Sequence, residues 1–268
     1  MFGKGQNPRK RVGKTQILVP REGLEPSRHH WHRILSPARL PVPPPRPAPR
    51  RRSIPVMELQ GITLTRDQTT VFAGLSLLLT EPRIGLIGLN GAGKSSLLRL
   101  LKGLLAPDAG VVLSDPQALG FVFQNPEHQL LFPTVMEELC FGQIERGISK
   151  SEAERAARDL LAHHHCGMLA DRATHELSDG QKQLVCIFSA LADGSKALLM
   201  DEPCSSLDHR STSHVMNIIR QLPQQVIMAT HHLRLLDGFD RVIWLDGGGI
   251  RADGDPESII ADYKKSID

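Results

Sequence analysis

No stretch of the 268 residues approaches the ~18–20 consecutive apolar residues of a spanning helix, so any membrane role is expected to run through partners. Cysteine is scarce: Cys140, Cys166, Cys186 and Cys204 have no C-x-x-C spacing. That pattern excludes a zinc knuckle and a disulfide framework and suits a reduced, cytosolic setting. Aromatic residues make up 4 % of the chain, and a single tyrosine is present. No ribbon of Cys, aromatic or basic residues is available for reading nucleic acid. There is no repeat at a period of about 20–50 residues, which excludes a solenoid.

Acidic residues are nearly missing from positions 1–56, which hold 2 of the 29 Asp+Glu but 13 of the 32 Lys+Arg and 11 of the 19 prolines. The segment carries a formal +11 and leaves −8 for residues 57–268, so the overall +3 averages two unlike parts and is no nucleic-acid footprint. Pro41 to Arg52 is nearly all Pro and Arg and cannot bury enough apolar surface to fold. The longest aliphatic run of the tail, Ile17-Leu18-Val19, is too short for the core of a secretory signal. The tail resembles the product of an upstream structural-RNA gene translated by mistake. It is therefore expected to be disordered and to come from a misassigned start, with Met57 as the true first residue.

What is present centres on Ile84 to Ser96. Gly88, Gly93, Lys94 and Ser95 fit G-x-x-x-x-G-K-[ST], a loop whose glycine-permitted turns aim backbone N–H groups at phosphates. Gly88, Leu89, Asn90, Gly91, Ala92, Gly93, Lys94, Ser95 and Ser96 are the candidate phosphate-binding residues. Lys94 adds a point charge and the Ser95 hydroxyl can ligate Mg²⁺. An apolar run precedes the loop, while Leu97, Leu100, Leu101 and Leu104 behind it fall on one helical face before Pro107. The loop thus caps a helix N-terminus, which favours an anion. Gly13-Lys14-Thr15 has the same ending but Pro8 where the first glycine belongs, and no apolar strand before it.

Met57 to Thr65 and Leu75 to Leu79 alternate as antiparallel strands, and Val111 to Leu113 and Leu119 to Phe123 read as short strands. Thr134 to His165 favours helices, one of them started by Ser151, Glu152 and Glu154. A helix opens at Leu177-Ser178-Asp179-Gly180-Gln181 and runs to about Ala192; another spans Asp208 to Gln221. Ala197 to Met200 is an apolar strand ending in Asp201-Glu202, and Val226 to Ala229 is another, ending in Thr230-His231-His232. Strands alternating with helices, with charged residues at strand ends, predict an α/β fold whose mainly parallel sheet carries its site at the carboxyl edge. At that edge Asp201 can hold Mg²⁺ through its water shell, and Glu202, facing the γ-phosphate, is the candidate general base.

In that order these residues resemble the ATP-binding cassette (ABC) ATPases over essentially all of 57–268. Gly88 to Ser95 resembles the Walker A loop, Gln124 the Q-loop glutamine, and Leu177 to Gln181 the signature, usually L-S-G-G-Q. Leu198 to Glu202 resembles Walker B, Ser206-Leu207-Asp208 the D-loop, and His231 the switch histidine. The resemblance implies a P-loop core with an antiparallel β subdomain and an inserted helical subdomain at about 126–180. It also implies ATP and Mg²⁺ as ligands, with Ser95, Gln124 and Asp201 toward the metal and Glu202, Gln124 and His231 catalytic. Ser178 and Gly180 would contact the γ-phosphate held by the other subunit of a head-to-tail pair, and Gln181 and Asp208 are further candidate nucleotide-binding residues. Asp179 replaces the second glycine of the signature and puts a negative charge near phosphate.

The family usually stacks adenine on an aromatic near the first strands. Ile62 to Gln68 has none, Phe72 is the one substitute at hand, and weak base selectivity is expected. His163-His164-His165-Cys166 has the residue types of a metal cluster. Adjacent helix positions point apart, however, so a solvated helix end is expected.

Gln124-Asn125-Pro126-Glu127-His128-Gln129 resembles the form seen in energy-coupling factor (ECF) importers, and Thr230 to Leu233 with Asp240 to Asp246 is most like the biotin systems. That resemblance implies a peripheral subunit on the cytoplasmic face of the plasma membrane. Its partners would be a membrane scaffold (T component) and a small substrate-capture protein (S component), with no nucleic acid and no contact with the transported substrate. Cobalt or nickel importer ATPases, a soluble non-transport ABC ATPase and a nucleotide switch without turnover are the alternatives.

Overall fold

A computed structural model describes residues 57–267; the Pro/Arg-rich segment 1–56, with its expected disorder and misassigned start, lies outside the described residues. Alternating apolar residues build a hairpin of β1 (Met57–Arg66) and β2 (Thr69–Leu79). The chain continues through β3 (Arg83–Ile87) and α1 (Lys94–Lys102) to β4 (Ala109–Leu113), which returns to pair with β1 in an antiparallel sheet of order β2-β1-β4.

β5 (Leu119–Val122) is followed by α2 (Val135–Glu145), α3 (Lys150–His163) and α4 (Asp179–Ala192). Then come β6 (Ala197–Asp201), α5 (His209–Gln221), β7 (Gln225–Ala229), β8 (Arg241–Asp246), β9 (Gly249–Gly254) and α6 (Pro256–Ile267). The second sheet runs β5-β6-β7-β3-β8-β9, parallel except for β9.

The central strands of this sheet are apolar on both faces because both faces are covered. Ile84 and Leu86 join Leu199, Ile227 and Ile243 in a core with α1 and the antiparallel sheet. Leu198, Met200, Val226, Met228 and Val242, one residue out of step, join a second core with the helices on the other face. The α2–α3 pair packs on α4, and its two ends are stitched together by a bridge between Thr134 and Ala173.

Two local expectations are corrected. The cap of α3 is Ser149 rather than Ser151, because Ser149 stands three residues before Glu152, whose backbone N–H donates to the Ser149 hydroxyl at 3.4 Å. Phe72 is not available to a base. Ile62 pairs with Leu75 and Leu64 with Phe72, so β2 holds one extra residue between those pairs, with Gly74 at φ 75. This bulge reverses the facing of the strand and puts Phe72, at 0 % exposure, in the core together with the buried Leu75, Leu77 and Leu79.

Phe72 also supports the P-loop, since a Cβ built on Gly93 would lie 2.7 Å from its ring. Phe72→Ala is expected to lower stability by about 3–5 kcal/mol, the cost of an aromatic cavity, read as a fall in denaturation midpoint.

Candidate functional site

Parallel strands deliver their carboxyl ends to one edge, and the site residues follow from that. The loop after β3 leaves the strand at Gly88 (φ 146) and enters α1 through Gly93 (φ 96), conformations that a side chain resists. Space adds to the requirement: a Cβ on Gly88 would lie 2.3 Å from the Leu245 carbonyl oxygen. Lys94, the first residue of α1, is 8 % exposed, and its Nζ donates to Gly88 O at 2.7 Å and Leu89 O at 3.2 Å. Burial pushes its pKa down, against the opposing charges of Glu202 and Asp201.

Ser95 Oγ donates to Asp201 Oδ1 at 2.8 Å, joining the start of α1 to the end of β6. Burial pushes the Asp201 carboxyl up, with the Ser95 hydrogen bond opposing. Glu202, one residue on, has the left-handed φ of 50, and its N–H donates to Ala229 O at 2.9 Å. Its carboxylate accepts from the His231 backbone N–H at 3.3 Å and lies 2.8 Å from His231 Nδ1. A non-glycine residue held at such a φ carries local strain of about 1–3 kcal/mol, which the surrounding strands must offset.

Gly88, Leu89, Asn90, Gly91, Gly93, Lys94, Ser95, Ser96, Gln124, Glu202 and His231 all line one cavity of about 640 Å³. Ala92 does not line it, and Asp201 reaches it through Ser95. His232 faces elsewhere, toward a separate cavity with Cys204 and Met216. A buried cation at a helix start, oxygen donors beside it and a carboxylate against an imidazole suit binding of a polyphosphate and movement of a proton.

Four further candidate residues are not brought to this cavity. Ser178, Gly180 and Gln181 line a different one, of about 590 Å³, with Arg210 and Ser211. There Ser178 and Gln181 form a capping box at the start of α4, and Asp179 is its exposed first residue. Asp208 is likewise exposed and caps α5 by accepting from Ser211 N–H at 2.7 Å.

Other residues emerge only from the fold. Arg66, Val71 and Tyr263 complete the P-loop cavity. Gln129 accepts from Phe123 N–H at 3.3 Å and donates to Cys186 O at 3.1 Å, and Glu127 forms an ion pair with Lys182, so two bonds tie the segment after Gln124 to α4. The second glutamine of Q-N-P-x-x-Q carried a signal for this; Lys182 and Tyr263 carried none. Among the described residues, the histidine run included, no group of three or more ligand-type side chains gathers. His164 is half-buried and stacks on Phe188 at 5.2 Å, and burial first, then the coulombic influence of His163 and His165, pushes its pKa down.

The ABC transporter family model matches residues 75–205. The biotin transport ATP-binding protein BioM of Rhodobacter capsulatus is 41 % identical over 218 residues, 77 % of this chain and 93 % of that protein. BioM of Rhizobium etli is 39 % identical over 201 residues, 71 % and 90 % of the two chains. Among solved structures, cbiO1 from Clostridium perfringens, part of the ABC transporter complex cbiONQ, matches with a TM-score of 0.70 at 26 % identity, covering 78 % of this chain and 92 % of that one. The likeness to biotin-system ATPases read from the sequence is therefore borne out, and the chain belongs to the ATP-binding proteins of ABC transporters.

Proposed function

We propose that this chain binds and hydrolyses ATP to energise an ECF-type importer, most specifically one for biotin. One observation carries the chemistry: the P-loop, Gln124, Glu202 and His231 share a cavity, while Ser178, Gly180 and Gln181 stand on a separate surface. The similarity to the two BioM proteins supports biotin. The Q-N-P-x-x-Q resemblance at Gln124 to Gln129, shared with cobalt and nickel systems, makes an importer of those metals the second reading. No described helix is long and apolar enough to cross a membrane. That fits a peripheral subunit at the cytoplasmic face of the plasma membrane, docked on a T-component scaffold and an S-component capture protein.

In this reading Lys94 and the P-loop N–H groups hold the β- and γ-phosphates. Ser95 and Asp201 are hard oxygen donors already 2.8 Å apart, and with Gln124 they would hold Mg²⁺, which neutralises phosphate charge when bound. Glu202 takes a proton from the attacking water, and His231, on its carboxylate, positions it and contacts the γ-phosphate. Ser178, Gly180, Gln181 and Asp208 act on the nucleotide of a second ATPase subunit, so two copies or a homologous pair close head to tail.

Glu202→Gln is expected to keep ATP binding, lower hydrolysis by about 100-fold or more and accumulate an ATP-bound dimer on light scattering. Unchanged turnover would remove Glu202 as the base. Ser178→Arg is expected to leave nucleotide binding to the monomer nearly intact and abolish hydrolysis; its lost cap lowers stability by only about 1 kcal/mol. Lost binding to the monomer would overturn the trans assignment.

The transport reading is tested by a gentle-detergent pull-down of the tagged full chain from native membranes. Recovery of a scaffold and a small membrane protein that binds labelled biotin is the expected result. Recovery of soluble or nucleic-acid partners alone would overturn it.

A further inference from the structure

Two cavities lie on opposite faces of α5. Arg210, Ser211 and His214 turn toward the signature residues, whereas His209, Thr212, Met216 and Arg220, at i, i+3, i+7 and i+11, form the other face and line a cavity of about 330 Å³. The segment after His231 adds His232, Arg234 and Leu235 to that lining.

The charge around this second cavity is of one sign. His209, Arg220, His232 and Arg234 line it and are exposed, no carboxylate lines it, and none of the four forms a salt bridge among the described residues. A cleft of that kind focuses its field and concentrates an anion. The deeper lining is apolar: Cys204 and Met216 are buried, and Leu207 and Leu235 are half-buried. Cys204 adds no negative charge, since burial first and then the charge of Glu202 hold its thiol pKa up at about 12. An apolar lining with a few convergent polar groups is the make-up of a small-molecule site.

Size and backbone set the ligand class. The cavity has about 330 Å³ against about 640 Å³ for the P-loop cavity, and no glycine lines it to turn backbone N–H groups onto a polyphosphate. Two guanidiniums over an apolar lining match instead a carboxylate, which a planar fork holds in a bidentate pair, carried on a short hydrocarbon chain.

We propose that this cavity binds a small aliphatic carboxylate and that its occupancy is linked to the catalytic cavity through His232. The ring of His232 lies 4.0 Å from that of His231, centroid to centroid, and His231 Nδ1 lies 2.8 Å from the Glu202 carboxylate. A ligand that fixes His232 therefore constrains the imidazole resting on the proposed base. The site stands apart from the nucleotide reading; the link rests on it.

The test titrates hexanoate, and hexanol as its uncharged counterpart, into the full chain and into Arg220→Met/Arg234→Met and His232→Ala variants, by calorimetry. The double variant is expected to bind hexanoate about 10- to 100-fold more weakly than the parent, the worth of charged hydrogen bonds, with ATP affinity and denaturation midpoint unchanged. Saturating hexanoate is expected to change ATP hydrolysis by the parent about 5-fold or more, and His232→Ala to hydrolyse ATP without that response. No binding of hexanoate, equal binding of hexanol, or undiminished binding in the double variant would overturn the carboxylate site. Binding that leaves hydrolysis unchanged would overturn the link. A parent chain that binds hexanoate but hydrolyses no ATP would instead remove the nucleotide reading and leave the site standing.

Discussion

A buried ammonium is the constraint around which the remaining structure is arranged. Lys94 begins α1 inside the molecule, where removal from water disfavours its charge. Two loop carbonyls bond it, and the charges of Glu202 and Asp201 offset part of the cost. A cation kept in such a place at a helix N-terminus is complementary to a polyanion, because the helix dipole and free N–H groups act in the same direction. The parallel sheet supplies the counterpart: β6 brings Asp201 and Glu202 and β7 brings His231 to the edge at which β3 releases the P-loop. Moving any of these strands by one residue would turn its buried set to the wrong core and its terminal residue away from Lys94.

The parts legible in the sequence are those that short spacing determines. The P-loop glycines need left-handed backbone conformations within a few residues of one another, and the strand ends at Asp201 and His231 follow from apolar runs of four. Phe72 was not legible, because alternation along β2 does not announce the bulge at Gly74 that reverses its facing. Ser149 was closer to reach: its spacing to Glu152 is that of a cap, and the serine at 151 competed for the same role. Tyr263 lies about 170 residues from the P-loop in sequence, and only the packing of α6 on β8 and β9 brings it to the cavity.

Some glycines carry a structural duty beside the one a motif suggests. A Cβ on Gly180 would lie 2.8 Å from the Ser211 Cβ, so the signature glycine is required where α4 crosses the start of α5, whatever it offers a phosphate. Asp208 caps that same start of α5. The signature and D-loop positions are therefore built into one helix junction, and a ligand approaching Ser178 meets a surface whose shape α5 sets.

That junction is mechanically joined to the nucleotide cavity of its own chain. Gln129 bridges the Phe123 N–H, next to Gln124, and the Cys186 carbonyl in α4, while Glu127 pairs with Lys182 one turn earlier. Glu138 completes the segment by accepting from the N–H groups of Leu131 and Phe132 at 2.9 and 3.1 Å. If the proposed partner's nucleotide displaced α4, the shift would reach Gln124, which lines the P-loop cavity, through these two polar contacts. Under the proposed head-to-tail pairing, each chain reports contact at its signature surface to its own catalytic cavity. The link is short and does not run through the sheet: the end of β6 places Asp201 and Glu202, while Gln129 and Glu127 join α4 directly to the segment after Gln124.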